Sequence, residues 1–118
     1  NNGIAFKEIF PNKIAREIVD QIVNHPSAKQ LEYVDFSGRE DFDNVCIEKL
    51  TENCPNIKHL ILPFVTISDD ALKYLQKIPN LQSLDIAGCQ QLEADALKHL
   101  KETRRLSSLN IGHCEQLE

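Results

Sequence analysis

Apolar residues recur along this chain in the arrangement LxxLxL, where L stands for a leucine-type residue and x for a polar or mixed one. It occurs four times, as Leu31-Val34-Phe36, Ile57-Leu60-Leu62, Leu81-Leu84-Ile86 and Leu106-Leu109-Ile111, with starts 26, 24 and 25 residues apart. Alternate apolar positions suit a short strand with one buried face, so each occurrence predicts a strand. Downstream of the first three, a second spacing repeats: Cys46-Ile47 with Leu50, Ala71-Leu72 with Leu75, and Ala96-Leu97 with Leu100. Positions i, i+1 and i+4 lie on one side of a helix, so each unit reads strand, turn, helix. Helix starts are marked by Asp43 before Asn44, by Ser68 before Asp69 and Asp70, and by Glu93 with Asp95. Such capping oxygens and first-turn acids suit the positive end of a helix dipole. Pro55 and Pro79 stand just before the next strands, where a helix has already ended.

A unit of this kind cannot bury its strand side and its helix side alone, so neighbouring units must stack over one shared core. The predicted fold class is α/β. The expected architecture is a repeat solenoid shaped as a partial horseshoe, with parallel strands on the concave side and helices on the convex side. Residues 31–118 supply about four repeats, the last incomplete. Residues 4–25 fall outside the pattern and read as a helix whose apolar side is Ile14, Ile18, Val19, Ile22 and Val23. Residues 1–30 are therefore expected to form an N-terminal capping helix over the open end of the core. At the other end, Gln116-Leu117-Glu118 repeats Gln91-Leu92-Glu93. The expectation there is a truncated fragment, or an uncapped last repeat that a partner covers.

The segment Cys54-Pro55-Asn56-Ile57-Lys58-His59-Leu60 and the run Leu81 through Cys89, echoed by Leu106 through Cys114, resemble the cysteine-containing class of leucine-rich repeats. That class is known from the substrate-recruiting subunits of ubiquitin ligases that also carry an F-box. The resemblance covers residues 31–118. It implies a protein-protein interaction scaffold, the substrate-recruiting repeat region of a ubiquitin-ligase-like assembly, with no enzymatic activity of its own. One alternative is a structural or assembly factor of a larger, organellar complex. The alternative from a different class is a thiol or metal-dependent enzyme. Phe10-Pro11 resembles the opening of an F-box, but the chain lacks Trp and the first strand follows too soon for the rest of one. Arg39 and Val65 stand where Cys89 and Cys114 stand later, which predicts a looser turn in the first two units.

With 118 residues, 42% hydrophobic and 26% charged, the chain is long enough for one domain with one core. The net charge of −5, with basic residues scattered among acidic ones, excludes nucleic acid as the expected partner, because phosphate binding needs clustered Lys and Arg. No apolar run approaches the roughly 20 residues of a spanning helix. Four cysteines without other signs of export read as reduced thiols of an intracellular, cytoplasmic protein.

Cys89 and Cys114 occupy one position in successive units, so their backbones should lie roughly 5 Å apart. Without CxxC or His-x3-His spacing, they read as buried structural thiols, as do Cys46 and Cys54, and neither metal nor cofactor is expected. Among His25, His59, His99 and His113 none has a serine or cysteine partner at matching register, so no catalytic residue is assigned. Asp35 and Asp85 share a strand column two units apart, roughly 10 Å, with Ile61 between them and no walls to desolvate either acid. What remains is the concave surface. The candidate partner-binding residues are Tyr33, Asp35, Lys58, His59, Ile61, Gln82, Asp85, Ser108 and Asn110. Tyr33, His59 and Ile61 would supply anchors, and the acids would steer a basic partner. That partner is expected to be another protein, with a further edge contact through the uncapped last repeat.

Overall fold

The computed structural model describes residues 3–5 and 13–114. Short strands alternate with helical segments in chain order: β1 (Gly3–Ala5), α1 (Ala15–Val23), β2 (Tyr33–Asp35), α2 (Asn44–Asn53) and β3 (His59–Ile61). Then come α3 (Asp69–Leu72), which continues as a 3-10 turn over Lys73–Lys77, β4 (Ser83–Asp85), α4 (Asp95–Lys101) and β5 (Ser108–Asn110). All five strands form one parallel sheet in the order β1-β2-β3-β4-β5. Parallel neighbours need a crossover between them, and each helical segment supplies one. Successive helical segments pack against one another from α1 to α4.

The core lies between the sheet and the helices. Val34, Leu60 and Leu84 from the strand centres are buried, as are Phe36, Leu62 and Ile86 just beyond them. From the helical side come Cys46, Ile47, Leu50, Ala71, Leu72, Leu75, Ala96 and Leu100, the positions that the i, i+1, i+4 spacing selects. Leu97 is the exception at 38% exposed, and Leu109 in β5 is 42% exposed where Val34 and Leu60 are fully covered. They lie in the last described helix and the last described strand, each with a described neighbour of its kind only on the preceding side. Fully burying a leucine-sized side chain contributes roughly 1.5–3 kcal/mol, so the inner units hold most of the packing energy.

The N-terminal region differs from a single helix over residues 4–25. Gly3–Ala5 is a strand, paired in register with Tyr33–Asp35. The free edge of β2 offers unpaired N–H and C=O groups, and that edge recruits the segment. The helix itself begins at Ala15, so its buried stripe is Ala15, Ile18 and Val19, with Ile22 and Val23 partly covered. Ile14 becomes the cap residue and is 54% exposed. The Phe10-Pro11 and Gln116-Leu117-Glu118 segments lie outside the described residues.

Helix α1 is also tied down by charge. One Asp41 oxygen accepts the Ala15 N–H at 2.8 Å, and the other accepts the Arg39 guanidinium at 3.1 Å. Asp43 caps α2 by accepting the Cys46 N–H at 3.3 Å and binds Arg16 of α1 at 2.7 Å. Burial pushes both carboxyls up, but these hydrogen bonds outweigh it and hold each below the ordinary value of 3.8. A carboxylate depressed in the folded state stabilises fully above its ordinary value, and that contribution is lost as pH falls through the folded value. Amide protection in α1 is therefore expected to fall below about pH 4 while β3 and β4 stay protected. Exchange measured residue by residue from pH 6 to pH 2 checks this, and unchanged α1 protection would contradict it.

The other helix starts behave less uniformly than their sequence suggests. The Ser68 hydroxyl makes no cap bond to its own helix; it accepts from Asn44 Nδ2 at 2.8 Å, while Asn44 Oδ1 accepts the Ser68 N–H at 3.0 Å. Asp69 in turn accepts the Glu93 N–H at 2.7 Å. These residues join consecutive units side by side.

Candidate functional site

The parallel register sorts the predicted surface residues into two columns on the sheet face opposite the core. The first is Tyr33, His59, Ser83, Ser108 and the second is Asp35, Ile61, Asp85, Asn110. Each of β2, β3 and β4 alternates half-buried, buried, half-buried, so the column residues stay accessible while the strand centres do not. Lys58 and Gln82 precede β3 and β4. Their carbonyls each accept two N–H groups from the following unit: Gln82 and Ser83 on Lys58, Ser107 and Ser108 on Gln82, all at 2.8–3.0 Å. The Lys58 ammonium lies 3.7 Å from Glu32.

Within the first column the side chains touch. The Tyr33 and His59 rings lie 6.0 Å apart at a tilt of 47°, and His59 Nδ1 is 3.0 Å from Ser83 Oγ. This overturns the expectation that no histidine has a serine partner at matching register. The signal was in the repeat itself, since His59 and Ser83 hold the same position 24 residues apart. A nucleophilic serine needs a base that is itself oriented and a pair of free donors for the oxyanion. Among the described residues no carboxylate bonds His59, and the Ser83 N–H is already given to the Lys58 carbonyl. The pair suits polar recognition better than acyl transfer.

The acids of the second column also have work inside the fold. Asp35 accepts the Ser37 N–H at 2.8 Å together with the Ser37 hydroxyl, Asp85 accepts the Ala87 N–H at 3.0 Å, and Asn110 accepts the Gly112 N–H at 3.0 Å. Each side chain closes a turn over its own backbone two residues on. Ile61 breaks the column, and two residues beyond it stands Pro63, which has no N–H to accept from. Where the donor is absent the acceptor is absent too. One oxygen of each acid is thus committed to its own turn.

Beyond each of β2 to β5 the chain turns through a left-handed residue: Gly38 (φ 73°), Phe64 (φ 62°), Gly88 (φ 69°) and His113 (φ 63°). The N–H groups of Gly38, Phe64 and Gly88 donate to Pro63, Ala87 and Gly112 of the next unit at 2.7–2.9 Å. The first two turns are therefore not looser than the later ones. Backbone conformation and the inter-unit ladder set the turn, with Arg39, Val65, Cys89 or Cys114 at the position behind it.

All four thiols are buried and free. Cys89 Sγ donates to the Leu62 carbonyl at 3.4 Å and Cys114 Sγ to the Ile86 carbonyl at 3.1 Å, so each bonds the strand end of the unit before it. Burial pushes the Cys46 thiol up to about 12 and the Cys54 and Cys89 thiols up to about 11. Among the described residues no three His, Cys, Asp or Glu side chains converge on a point that could hold a metal. No described helix is long and apolar enough to cross a membrane.

The geometry defines an α/β chain whose parallel units present one accessible sheet face, and comparison with known proteins agrees with its leucine-rich character. No protein-family model matches the chain. A stretch of 66 residues, 56% of the chain, is 32% identical to acidic leucine-rich nuclear phosphoprotein 32-related protein 1 of Caenorhabditis elegans. The matched stretch amounts to 29% of that protein's length.

Proposed function

We propose that this chain is a leucine-rich repeat solenoid, capped at its N-terminal end by residues 1–30, that recognises another protein through the open sheet face. The observation that carries the reading is the pair of in-register columns on that face. Tyr33, His59 and Ser83 form a contiguous patch with one aromatic anchor, flanked by Ile61 and by the partly committed Asp35 and Asp85. Interfaces concentrate their energy in such anchors, with polar groups around them setting the register. The leucine-rich relative supports the same reading, and its name assigns it to the nucleus. Four free thiols fit a reducing intracellular compartment, cytoplasmic or nuclear.

The chain performs no chemistry of its own in this reading. A nucleophilic cysteine is exposed and depressed in pKa, whereas Cys46, Cys54 and Cys89 are buried and raised. The cysteine column is the one feature favouring a substrate-recruiting role in a ubiquitin-ligase-like assembly, and an F-box encoded upstream in the full-length gene product is its test.

The open-face reading is checked by replacing Tyr33 and His59 together with alanine. Capture of interacting proteins is expected to weaken about tenfold or more, the effect of losing a central anchor. Removing the helix-side ion pair with Glu52→Ala and Lys77→Ala is the matched control and should leave capture unchanged. The opposite pattern would move the site to the helical side.

A further inference from the structure

Three basic residues lie close together at the end of α4 and just beyond it, within residues 101–105. Lys101, Arg104 and Arg105 line a cleft of about 560 Å³ where the end of α4 meets the end of the preceding helical segment. Its apolar part is Leu75 and Pro79, and Gln76 and Thr103 add an amide and a hydroxyl. Two other cations of the helical side are paired with the preceding unit, Lys49 with Asp20 at 2.7 Å and Lys77 with Glu52 at 3.0 Å. Lys101 and Arg104 instead share their cleft with Gln76 and Pro79, and among the described residues neither makes an ion pair or a hydrogen bond. The end of α4 does not need them, because the His99 carbonyl is met by the Glu102 N–H and the Thr103 hydroxyl, and the Leu100 carbonyl by the Thr103 N–H.

We propose that this cleft is a second binding site, one that takes a carboxylate-rich peptide segment of a partner protein. Two uncommitted cations beside an apolar floor match alternating acidic and apolar side chains. A nucleic acid fits less well. Its affinity grows with the number of phosphates neutralised, while here Asn80 holds Arg105 at 3.0 Å, Glu102 interrupts the cluster, and the whole chain carries −5. The volume lies within the roughly 300–1,000 Å³ usual for binding clefts.

The test is fluorescence anisotropy of a labelled Glu-Glu-Leu-Glu-Glu-Leu peptide titrated with the whole chain. Saturable binding is expected, weakened about tenfold or more by Lys101→Glu with Arg104→Glu and tightened by Glu102→Gln. Lys98→Glu makes one such charge reversal, half that of the double variant, on α4 outside the cleft, at an exposed residue paired among the described residues with Asp95, and should alter affinity less than about threefold. These positions are exposed or edge-lying, and an unchanged urea midpoint confirms that the variants fold. Absence of saturable binding, an equal loss in Lys98→Glu, or tighter binding of an oligothymidine of equal charge would each overturn the proposal.

Discussion

Phe36→Ala lowers the stability of the fold by about 3–5 kcal/mol, the usual cost of deleting a fully buried ring. Phe36 and Phe42 are both inaccessible and their rings meet at 4.7 Å with a 44° tilt, so deleting one ring also removes packing from the other. They fill the core behind β2, where later units use Leu62 with Ile67 and Ile86 with Leu92. A domain of this size is stable by about 5–15 kcal/mol, so the loss is a large fraction of the whole. Phe36→Leu installs what the second unit already carries at this position and should cost less than about 2 kcal/mol. Urea unfolding of both variants checks the pair. A change under about 1 kcal/mol for Phe36→Ala would mean that the first unit does not share the common core.

The second large effect is expected at Gly88. Its φ of 69° disfavours any residue with a Cβ, and a Cβ placed there would lie 2.2 Å from the Phe64 ring. Left-handed geometry costs an ordinary residue about 1–2 kcal/mol, and relieving the overlap requires the ring to leave its place over the turn. Gly88→Ala is expected to destabilise by about 2–4 kcal/mol in total. The two causes separate in a double-mutant cycle. Phe64→Gly removes the overlapping ring and also relieves the left-handed strain at position 64, so Gly88→Ala in that background should cost only about 1 kcal/mol. Equal cost in both backgrounds would show that the ring contributes nothing.

Much of this architecture is legible in the sequence because its signal is periodic. Leu60 and Leu84 are buried at the positions the LxxLxL spacing selects, and Ala71 and Leu75 at those the helical spacing selects. Burial on a two-residue or near-four-residue period leaves a mark that needs no knowledge of the partner element. What was not legible depends on neighbours across the stack. Ile14 continues the apolar stripe of its helix, yet the helix begins one residue later and leaves it outside. Gly3–Ala5 carries no strand periodicity, and its pairing is decided by the free edge of β2. Leu97 matches Ile47 and Leu72 in spacing but has, among the described residues, a neighbouring unit on one side only.

The candidate surface follows the same division. Its column membership was readable, since residues one repeat apart must share a strand position. The side-chain bonds within it were not, because His59 to Ser83 and Lys58 to Glu32 depend on rotamers that no spacing encodes. The turn-closing role of Asp35, Asp85 and Asn110 had a readable mark that was missed: each precedes a residue with a free N–H by two, and Ile61 precedes Pro63.

The most direct measurement of which side meets a partner uses a photo-reactive phenylalanine analogue placed at Ser83 on the open face, or at Glu52 on the helical side. Cross-linked adducts are expected from position 83 and not from position 52. Adducts from position 52 alone would contradict recognition through the sheet face.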